Sequence, residues 1–378
     1  MKSIRLRLKA KGEACEIIGG PGLLNECGRE VKRTVGGSTQ KIAIISNATV
    51  FALFGNAIMK SLTKRGFTAP SWLMGDGERH KDLRTLEQAL DFLSKMNLSR
   101  TDAVLSLGGG VVGDLAGLAA ALHQRGVPLL HAPTTLLAQI DASIGGKTAV
   151  NTRFGKNAIG FFHQPVAVLI DPFALKTLPA RELTSGWCEA VKHGAVGSAK
   201  LFRDTYQCLQ SGSLSDRPAE PSLELLMAHC AFKASIVSRD PREETNRDDS
   251  KSRRILNFGH TTAHALETVT GYRRFRHGEA VGYGMLVAGE ISERLGLLPR
   301  SELELLRDTV RSCGPLPRAD NLDPNEISKA LKHDKKRVRN EIKWVLLERI
   351  GRPRIVGGNV ISAKLLRASF QAGLRPLR

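Results

Sequence analysis

The chain has 378 residues, of which 42% are hydrophobic and 25% charged, as in a globular protein large enough for two or three domains. No uncharged apolar stretch reaches about 18 residues, and the N-terminus lacks a signal-like apolar region, which argues against a membrane span and favours a cytoplasmic location. The formal charge of +19 is dispersed and only 5% of residues are aromatic, so we expect an anionic metabolite as ligand and neither specific nucleic-acid nor membrane binding.

The first half of the chain alternates short apolar runs with helical patterns, after an N-terminal segment that alternates like a strand. Strands are predicted at 41–46, 71–75, 103–110 and 127–133, and helices at 50–66, 83–97 and 111–126. This alternation predicts a Rossmann-like α/β domain with a mostly parallel sheet.

The second half becomes mostly helical from about residue 177. Helical periodicity extends over 180–196, 222–239, 255–269 and 278–296, and the polar stretch 240–252 is predicted to be an exposed loop. We therefore predict two domains, 1–176 and 177–378, with the ligand site in the cleft between them.

The strand-to-helix run LSLGGGVVGD (105–114) contains a glycine turn that can bind a pyrophosphate at a helix N-terminus. The spacing is not G-x-G-x-x-G, so a tight structural turn remains an equal alternative.

The run 133–165 places Asp141, Lys147, Lys156 and Asn157 among glycines and short apolar runs. One carboxylate, two ammonium groups and an amide suit a small polyhydroxylated anion, and the glycines let the backbone approach it closely. The alternative is a pair of polar surface loops.

A possible metal site comes from Glu189 and the three histidines His260, His264 and His277. His260 and His264 are four residues apart and share one face of a predicted helix, and His277 begins the next helix. Glu189 lies in an apolar helix, where an unpaired carboxylate is costly. One carboxylate and two histidines form a catalytic-zinc ligand set, although ordinary polar groups at a helix interface remain an alternative. The six cysteines form no C-x-x-C pair, so a zinc-thiolate site is not expected.

Further cations could complete an anion site. They are Lys192, Lys233, Arg253 and the pair Lys335–Lys336. Each alone reads as a surface residue, but together with Lys147 and Lys156 they could neutralise a substrate that carries phosphate and carboxylate.

These motifs, in this order, resemble the 3-dehydroquinate synthase family of the sugar-phosphate cyclase superfamily. The matching runs, within residues 105–351, are GGGVVGDLAG, QRGVPLLHAPTTLLAQIDASIGGKTAVN, GKNAIGFFHQP, LKTLPARE, CEAVKHG, LNFGHTTAHALE, HGEAV and HDKK followed by WVLLERIG. The resemblance implies an NAD-binding α/β domain over 1–176 and an α-helical, metal- and substrate-binding domain over 177–378.

The resemblance also implies roles for individual residues. The Zn²⁺ or Co²⁺ ligands would be Glu189, His260 and His277. The NAD site would comprise Asn47, Glu78, Lys81, Gly109, Gly110, Val111, Asp114, Thr134, Thr135, Lys147, Lys156 and Thr177. The substrate phosphate would bind Lys147, Asn157, Asn257, His264 and Lys335, with Arg125 reaching the site of a neighbouring subunit in a homodimer. Lys233 and Arg253 would bind the substrate carboxylate, and Asp141 and Lys192 would contact the reacting hydroxyls.

The implied reaction converts 3-deoxy-D-arabino-heptulosonate 7-phosphate to 3-dehydroquinate and phosphate. NAD is transiently reduced, phosphate leaves by β-elimination, the hydride returns, and ring opening precedes an intramolecular aldol closure. The substrate's own phosphate would take the proton, which agrees with the lack of a dedicated protein base in the motifs.

Two departures from the family pattern bear on these roles. Asn47 stands where many members have aspartate, although an amide can still hydrogen-bond a ribose hydroxyl. The segment 241–252 is longer than usual and directly precedes Arg253, so Arg253 and Arg254 remain alternatives for the carboxylate.

Other functions remain open at this point. Sibling cyclases such as 2-epi-5-epi-valiolone or 2-deoxy-scyllo-inosose synthases act on substrates without a carboxylate, which Lys233 and Arg253 disfavour. An aminodehydroquinate synthase is harder to separate, because its substrate keeps that group. A metal-dependent polyol dehydrogenase would lack the GGKT and GKN loops, and a nucleic-acid-binding protein would leave the series of motifs unexplained.

Overall fold

The computed structural model describes residues 4–10, 13–212, 217–244, 247–249, 251–337 and 342–377, with the backbone alone at 4–6, 8–10, 13 and 332–337. The strands are β1 (Ile4–Ala10), β2 (Glu13–Gly19), β3 (Ile42–Asn47), β4 (Ser71–Met74), β5 (Ala103–Gly108), β6 (Leu129–Pro133), β7 (Lys147–Thr152), β8 (Gly155–Phe162), β9 (Ala167–Ile170), β10 (Lys343–Arg349) and β11 (Arg352–Gly357). The helices are α1 (Cys27–Val35), α2 (Ala48–Thr63), α3 (Leu83–Lys95), α4 (Gly110–Leu122), α5 (Ala180–Gly197), α6 (Ala199–Ser211), α7 (Leu223–Arg239), α8 (His260–Val269), α9 (His277–Arg294), α10 (Arg300–Ser312), α11 (Pro324–Arg337) and α12 (Ala363–Gly373).

The chain divides into two compact units. The first comprises Met1–Leu178 and Ser222–Arg242, and the second comprises Pro179–Pro221 and Glu243–Arg378. This division differs from the predicted domains 1–176 and 177–378 chiefly in α7, which packs with the first unit. The roles assigned to the two domains stay predictions.

The first unit contains a seven-stranded sheet in the order β1-β2-β9-β6-β5-β3-β4. Only β1 is antiparallel to its neighbour; the other strand pairs are parallel. Buried strand residues alternate between two core clusters, with Ile42 and Ile44 in one and Ala43 and Ile45 in the other. The central strands β3, β5, β6 and β9 are therefore buried on both faces, which explains their continuous apolar runs. The predicted Rossmann-like sheet is confirmed.

The second unit is mostly helical, as predicted, and also contains the antiparallel hairpin β10–β11, which the sequence patterns did not indicate. Across the part of the chain that the structure describes, no helix combines the length and apolar character needed to cross a membrane.

Several predicted boundaries were wrong for local reasons. The N-terminal segment forms two paired strands, β1 and β2, where one was predicted. Helix α4 ends at Leu122, not near residue 126, because Gln124 and Arg125 adopt left-handed φ angles of 50° and 63°. The predicted helix over 255–269 begins only at His260, after a 3₁₀ turn over Arg253–Asn257.

Candidate active site

Three side chains of the second unit converge as a possible metal-binding set. Glu189 is buried in α5, His260 is the first residue of α8, and His277 is the first residue of α9. One ligand atom from each lies within 4.8 Å of the others. The Nε2 atoms of His260 and His277 lie 3.7 and 3.4 Å from Glu189 Oε1. Three converging donors of this chemistry fit a divalent metal with an open coordination position.

Glycines let the three helices approach closely at this point. A Cβ atom on Gly278 would lie 1.9 Å from the carbonyl oxygen of Ser185, so α9 begins almost in contact with the α5 backbone. A Cβ on Gly284 would lie 1.9 Å from the carbonyl oxygen of Gly259, which itself has a left-handed φ of 81°. These contacts flank His277 and His260, so backbone packing positions the two rings.

Outer contacts orient the possible ligands. His260 Nδ1 lies 3.3 Å from the carbonyl oxygen of Phe258, and His277 Nδ1 lies 3.5 Å from Glu267 Oε1. Lys192 Nζ lies 2.6 Å from Glu189 Oε2. Metal-binding histidines commonly donate a hydrogen bond to a carbonyl or carboxylate oxygen from the ring nitrogen that does not bind the metal. Glu267 was not predicted, although a carboxylate inside the apolar helix after HTTAH is the same signal that singled out Glu189.

The protonation states also suit metal binding. Burial raises the pKa of Glu189, but the charges of Lys192 and His277 outweigh it and hold the pKa below its usual value of 4.5. Burial is the largest cause that holds the pKa of His260 well below 6.5. The carboxylate is therefore ionised and the His260 imidazole neutral at pH 7, the forms that bind a metal.

His264 and Asn257 lie beside this set. The exposed His264 ring is centred 5.8 Å from that of His260 and 6.2 Å from that of His277. Asn257 Nδ2 donates a hydrogen bond to Glu243 Oε1 at 2.8 Å, a carboxylate that was not predicted.

The remaining predicted residues of the second unit are Arg253, with its alternative Arg254, and Lys335. Arg253 is buried, whereas Arg254 Nε lies 3.9 Å from Asp248 Oδ1. Lys335 lies in α11, and its side chain is outside the described residues.

In the first unit, several residues predicted to bind NAD lie at or just after the carboxyl ends of parallel strands. After β5, Gly109 precedes α4, and a Cβ on it would lie 3.1 Å from Thr135 Cγ2. Thr134 follows β6, and its amide donates to the carbonyl oxygen of Gly108. Asn47 ends β3, and its Oδ1 accepts a hydrogen bond from Val50 N, capping α2. This edge of a parallel sheet is where such folds bind ligands.

A polar network joins four of the predicted residues. Lys81 Nζ contacts Asp114 Oδ2 and donates to Asn157 Oδ1 at 2.6 Å. Asn151, which was not predicted, donates from Nδ2 to Glu78 Oε1 at 2.8 Å and accepts from Asn157 N at 2.9 Å. The GERHK segment and the GKN segment are thus held side by side.

The segment around Lys147, Lys156 and Asn157 forms the antiparallel hairpin β7–β8 rather than two loops. Lys147 begins β7 opposite Phe162, and Lys156 and Asn157 lie in β8, where Asn157 has a left-handed φ of 53°. The alternation of polar and apolar residues was too short to reveal these strands.

Asp141 and Lys233 form an ion pair within the first unit. Asp141 lies in the short π-helical turn Ala138–Ala142 that follows β6, and Lys233 lies in α7. Lys233 Nζ contacts Asp141 Oδ1 and donates to its backbone carbonyl at 2.6 Å. The Asp141 carboxylate can also accept a hydrogen bond from a hydroxyl group.

The other predicted residues of the first unit lie at or near the ends of helices. Gly110 and Val111 form the first turn of α4, Thr177 ends the 3₁₀ helix Pro172–Thr177, and Arg125 is exposed after α4.

Comparison with known proteins places these features in a family. Residues 71–185 match the family model described as 3-dehydroquinate synthase N-terminal, and residues 186–337 match the one described as 3-dehydroquinate synthase C-terminal. A 3-dehydroquinate synthase of Pelotomaculum thermopropionicum is 40% identical over 343 residues, which cover 90% of each chain.

Solved structures of other enzymes also align with most of this chain. A 2-deoxy-scyllo-inosose synthase complexed with carbaglucose-6-phosphate, NAD⁺ and Co²⁺ aligns with a TM-score of 0.84 and 25% identity, covering 98% of this chain and all of that one. A 2-epi-5-epi-valiolone synthase from Streptomyces hygroscopicus, with NAD⁺ and Zn²⁺ bound, aligns with a TM-score of 0.82 and 27% identity, covering 94% and 96% of the two chains.

Proposed function

The chain belongs to the 3-dehydroquinate synthase family and has that enzymatic function, and we propose that it works with NAD and with a divalent metal ion held by Glu189, His260 and His277. The convergence of these three side chains is the observation that carries the metal assignment. The substrate would be 3-deoxy-D-arabino-heptulosonate 7-phosphate, converted to 3-dehydroquinate and phosphate. The cytoplasmic location stays a prediction.

When bound, NAD accepts and returns a hydride, and the metal ion acts as a Lewis acid toward substrate oxygens. The glycine turn after β5 would bind the pyrophosphate of NAD at the N-terminus of α4. Lys81 contacts both Asp114, in the first turns of α4, and Asn157. Lys147 and Lys156, on the two strands of one hairpin, supply positive charge for anionic groups. Asp141 would accept a hydrogen bond from a reacting hydroxyl.

The choice among related substrates rests on the cations proposed for the carboxylate. Lys233 is held by Asp141, and Arg253 is buried in the second unit. We propose that both contact the substrate carboxylate, which favours a heptulosonate over the sugar phosphates of sibling cyclases.

The test is phosphate release by the purified protein with the heptulosonate phosphate, NAD and Zn²⁺, with and without a chelator. Release that requires metal and NAD, forms 3-dehydroquinate and accumulates no NADH would support the proposal. Glu189→Ala should abolish turnover and metal binding, whereas Glu304→Ala, on the surface of α10, should not. Turnover of sedoheptulose 7-phosphate or of an amino analogue instead would assign a sibling activity.

We also propose a homodimer in which Arg125 serves the partner's phosphate site. Mixing Arg125→Ala with Glu189→Ala, each inactive alone, should restore up to about a quarter of wild-type activity, because half the dimers would be mixed and each would hold one intact site. No recovery after subunit exchange would place Arg125 in its own subunit's site.

A further inference from the structure

We propose that Arg181 is a positioning residue for the metal-binding set, because it fixes how the start of α9 lies against α5. The inference rests on the metal assignment of the proposed function and adds a residue that acts through Glu279 on His277. Arg181 is the second residue of α5, in the run LKTLPARE, and Glu279 is the third residue of α9, in the run HGEAV.

The guanidinium group of Arg181 contacts the carboxylate of Glu279 through two hydrogen bonds. Arg181 Nε donates to Glu279 Oε1 at 2.6 Å, and Nη2 donates to Oε2 at 2.8 Å. Nη2 also donates to the carbonyl oxygen of Arg274 at 2.5 Å. A two-point contact of this kind fixes direction as well as distance. Arg181 therefore holds both the first turn of α9 and the chain that leads into it.

Glu279 connects this contact to the residue that precedes His277. The Glu279 side chain is fully buried, and its Oε2 accepts a hydrogen bond from the backbone amide of Arg276 at 2.7 Å. Arg276 is the N-cap residue of α9, and a glutamate three residues later that accepts from this amide fixes how the chain enters the helix. His277 lies between these two residues in the chain, so the same contacts fix its backbone.

Three residues of α5, spaced four apart on one helix face, contact the first three residues of α9 in turn. The contacts are those of Arg181 with Glu279, of Ser185 Oγ with the amide of Gly278 at 3.0 Å, and of Glu189 Oε1 with His277 Nε2 at 3.4 Å. Eight helical residues rise about 12 Å, so Arg181 acts on the metal-binding set only through α9. The first two contacts fix the register of the helices, and the third brings the possible ligands together.

The burial of Glu279 distinguishes this contact from a nearby surface ion pair. Without Arg181, a buried carboxylate would lose a positive partner, which is costly, so Glu279 and the start of α9 would have to rearrange. By contrast, Arg276 directly precedes His277 and pairs with Glu182 at 2.8 Å, and the two side chains are 57% and 34% exposed. An exposed pair of this kind contributes little. Arg276 is therefore a matched control beside the same possible ligand.

The zinc affinities of wild type, Arg181→Met and the control Arg276→Met test the inference. Methionine keeps an unbranched apolar side chain and removes the charge and the donors. We expect Arg181→Met to raise the Kd for Zn²⁺ about 10–100-fold, because His277 is no longer held opposite Glu189. The control should change the Kd less than about twofold. Competition with a chromophoric chelator measures the Kd, under conditions in which circular dichroism shows each protein to be folded.

Two further measurements separate positioning from a general loss of stability. The visible absorption of bound Co²⁺ reports its coordination geometry, so the spectrum should change in Arg181→Met and stay that of wild type in the control. Arg181→Lys keeps the charge but cannot make the same two-point contact, so its Kd for Zn²⁺ should lie between those of wild type and Arg181→Met.

A wild-type Kd and Co²⁺ spectrum in Arg181→Met, even with a lower thermal stability, would make the contact purely structural and overturn the inference. If that variant does not fold, a wild-type Kd in Arg181→Lys has the same meaning. An equal loss of affinity in Arg276→Met would also overturn it. In all three cases a wild-type protein that binds zinc leaves the proposed function standing, whereas a wild-type protein that binds no zinc removes the metal assignment itself and this inference with it.

Discussion

Glu267 shows how a single residue outside the possible ligand set can control it. Its carboxylate lies 3.5 Å from His277 Nδ1 and is buried. We predict that Glu267→Gln weakens Zn²⁺ binding by about 10–100-fold, because the neutral amide no longer increases the basicity of the ring as the carboxylate does. Competition with a chromophoric chelator measures the affinity.

The control for this prediction is Glu293→Gln, on the half-exposed surface of α9. Equal zinc affinity in the Glu267 variant and wild type would show that the contact is structural only.

The buried ring of His131 makes the first unit sensitive to acid. Its Nδ1 lies 2.6 Å from Ser106 Oγ on the neighbouring strand, and burial, reinforced by the charge of His163, lowers its pKa from 6.5 to about 4. Between these values the unfolded chain binds a proton that the folded chain does not, so stability falls as the pH drops from 6.5 to 4. The difference is worth about 3 kcal/mol at pH 4.

We predict that His131→Gln, which can still hydrogen-bond Ser106, makes the free energy of unfolding less dependent on pH. Urea titrations at several pH values between 7 and 4.5 give the free energy of unfolding as a function of pH. The slope of this plot should correspond to up to about one proton less than in wild type. A slope identical to that of wild type would mean that the ring is protonated in the folded state.

Among the elements, α9 has the strictest packing requirement. Gly278 follows His277 directly, and any side chain there meets the Ser185 backbone of α5. We predict that Gly278→Ala lowers the free energy of unfolding by about 1–3 kcal/mol and weakens metal binding by at least about tenfold, because the start of α9 must move away from Glu189. Thermal unfolding and zinc titration measure the two effects.

Gly289→Ala, in the same helix, is the control. Its new methyl group would lie 2.7 Å from Leu303 Cδ1, a side-chain atom that can shift more easily than backbone, so we expect a smaller loss of stability and unchanged metal affinity. If Gly278→Ala bound zinc like wild type, close packing of α5 and α9 would not be what positions His277.

Elements with strong periodicity were predictable from sequence, whereas those built from short or mixed runs were not. The buried strands β3, β5 and β6 have continuous apolar runs, and α5 and α9 have long helical patterns, so their existence followed directly. The hairpin β7–β8 was missed because its pattern is interrupted by glycines and site residues.

The residues of the possible metal-binding set were predictable from the sequence, but the contacts around the candidate site were not. The spacing of His260 and His264 and the costly burial of Glu189 indicated a metal site without any coordinates. The pairing of Lys233 with Asp141 spans 92 residues, and the pairing of Lys81 with Asn157 spans 76. Such partners depend on how α7 and β8 pack, which local patterns do not encode.

At the scale of the whole molecule, the charge of +19 has a kinetic consequence. The proposed substrate carries a phosphate and a carboxylate, and a cationic protein attracts such an anion over distances near the Debye length, about 10 Å at 0.1 M salt. We predict that kcat/KM falls several-fold between about 0.02 and 0.5 M NaCl, while kcat changes less than about twofold, because screening slows capture and not the bound-state chemistry. Steady-state assays over this salt range measure both quantities.

The double variant Lys60→Glu/Lys64→Glu tests whether the salt dependence of kcat/KM comes from the charge of the whole molecule or from the cations of the site. Both lysines are exposed at the C-terminal end of α2, outside the proposed site, and reversing them lowers the formal charge from +19 to +15. If the distributed charge steers the substrate, the variant shows a weaker salt dependence of kcat/KM at an unchanged kcat. A salt dependence equal to that of wild type would assign the effect to local cations such as Lys147 and Lys156, and the remaining surface charge would then have no part in substrate capture.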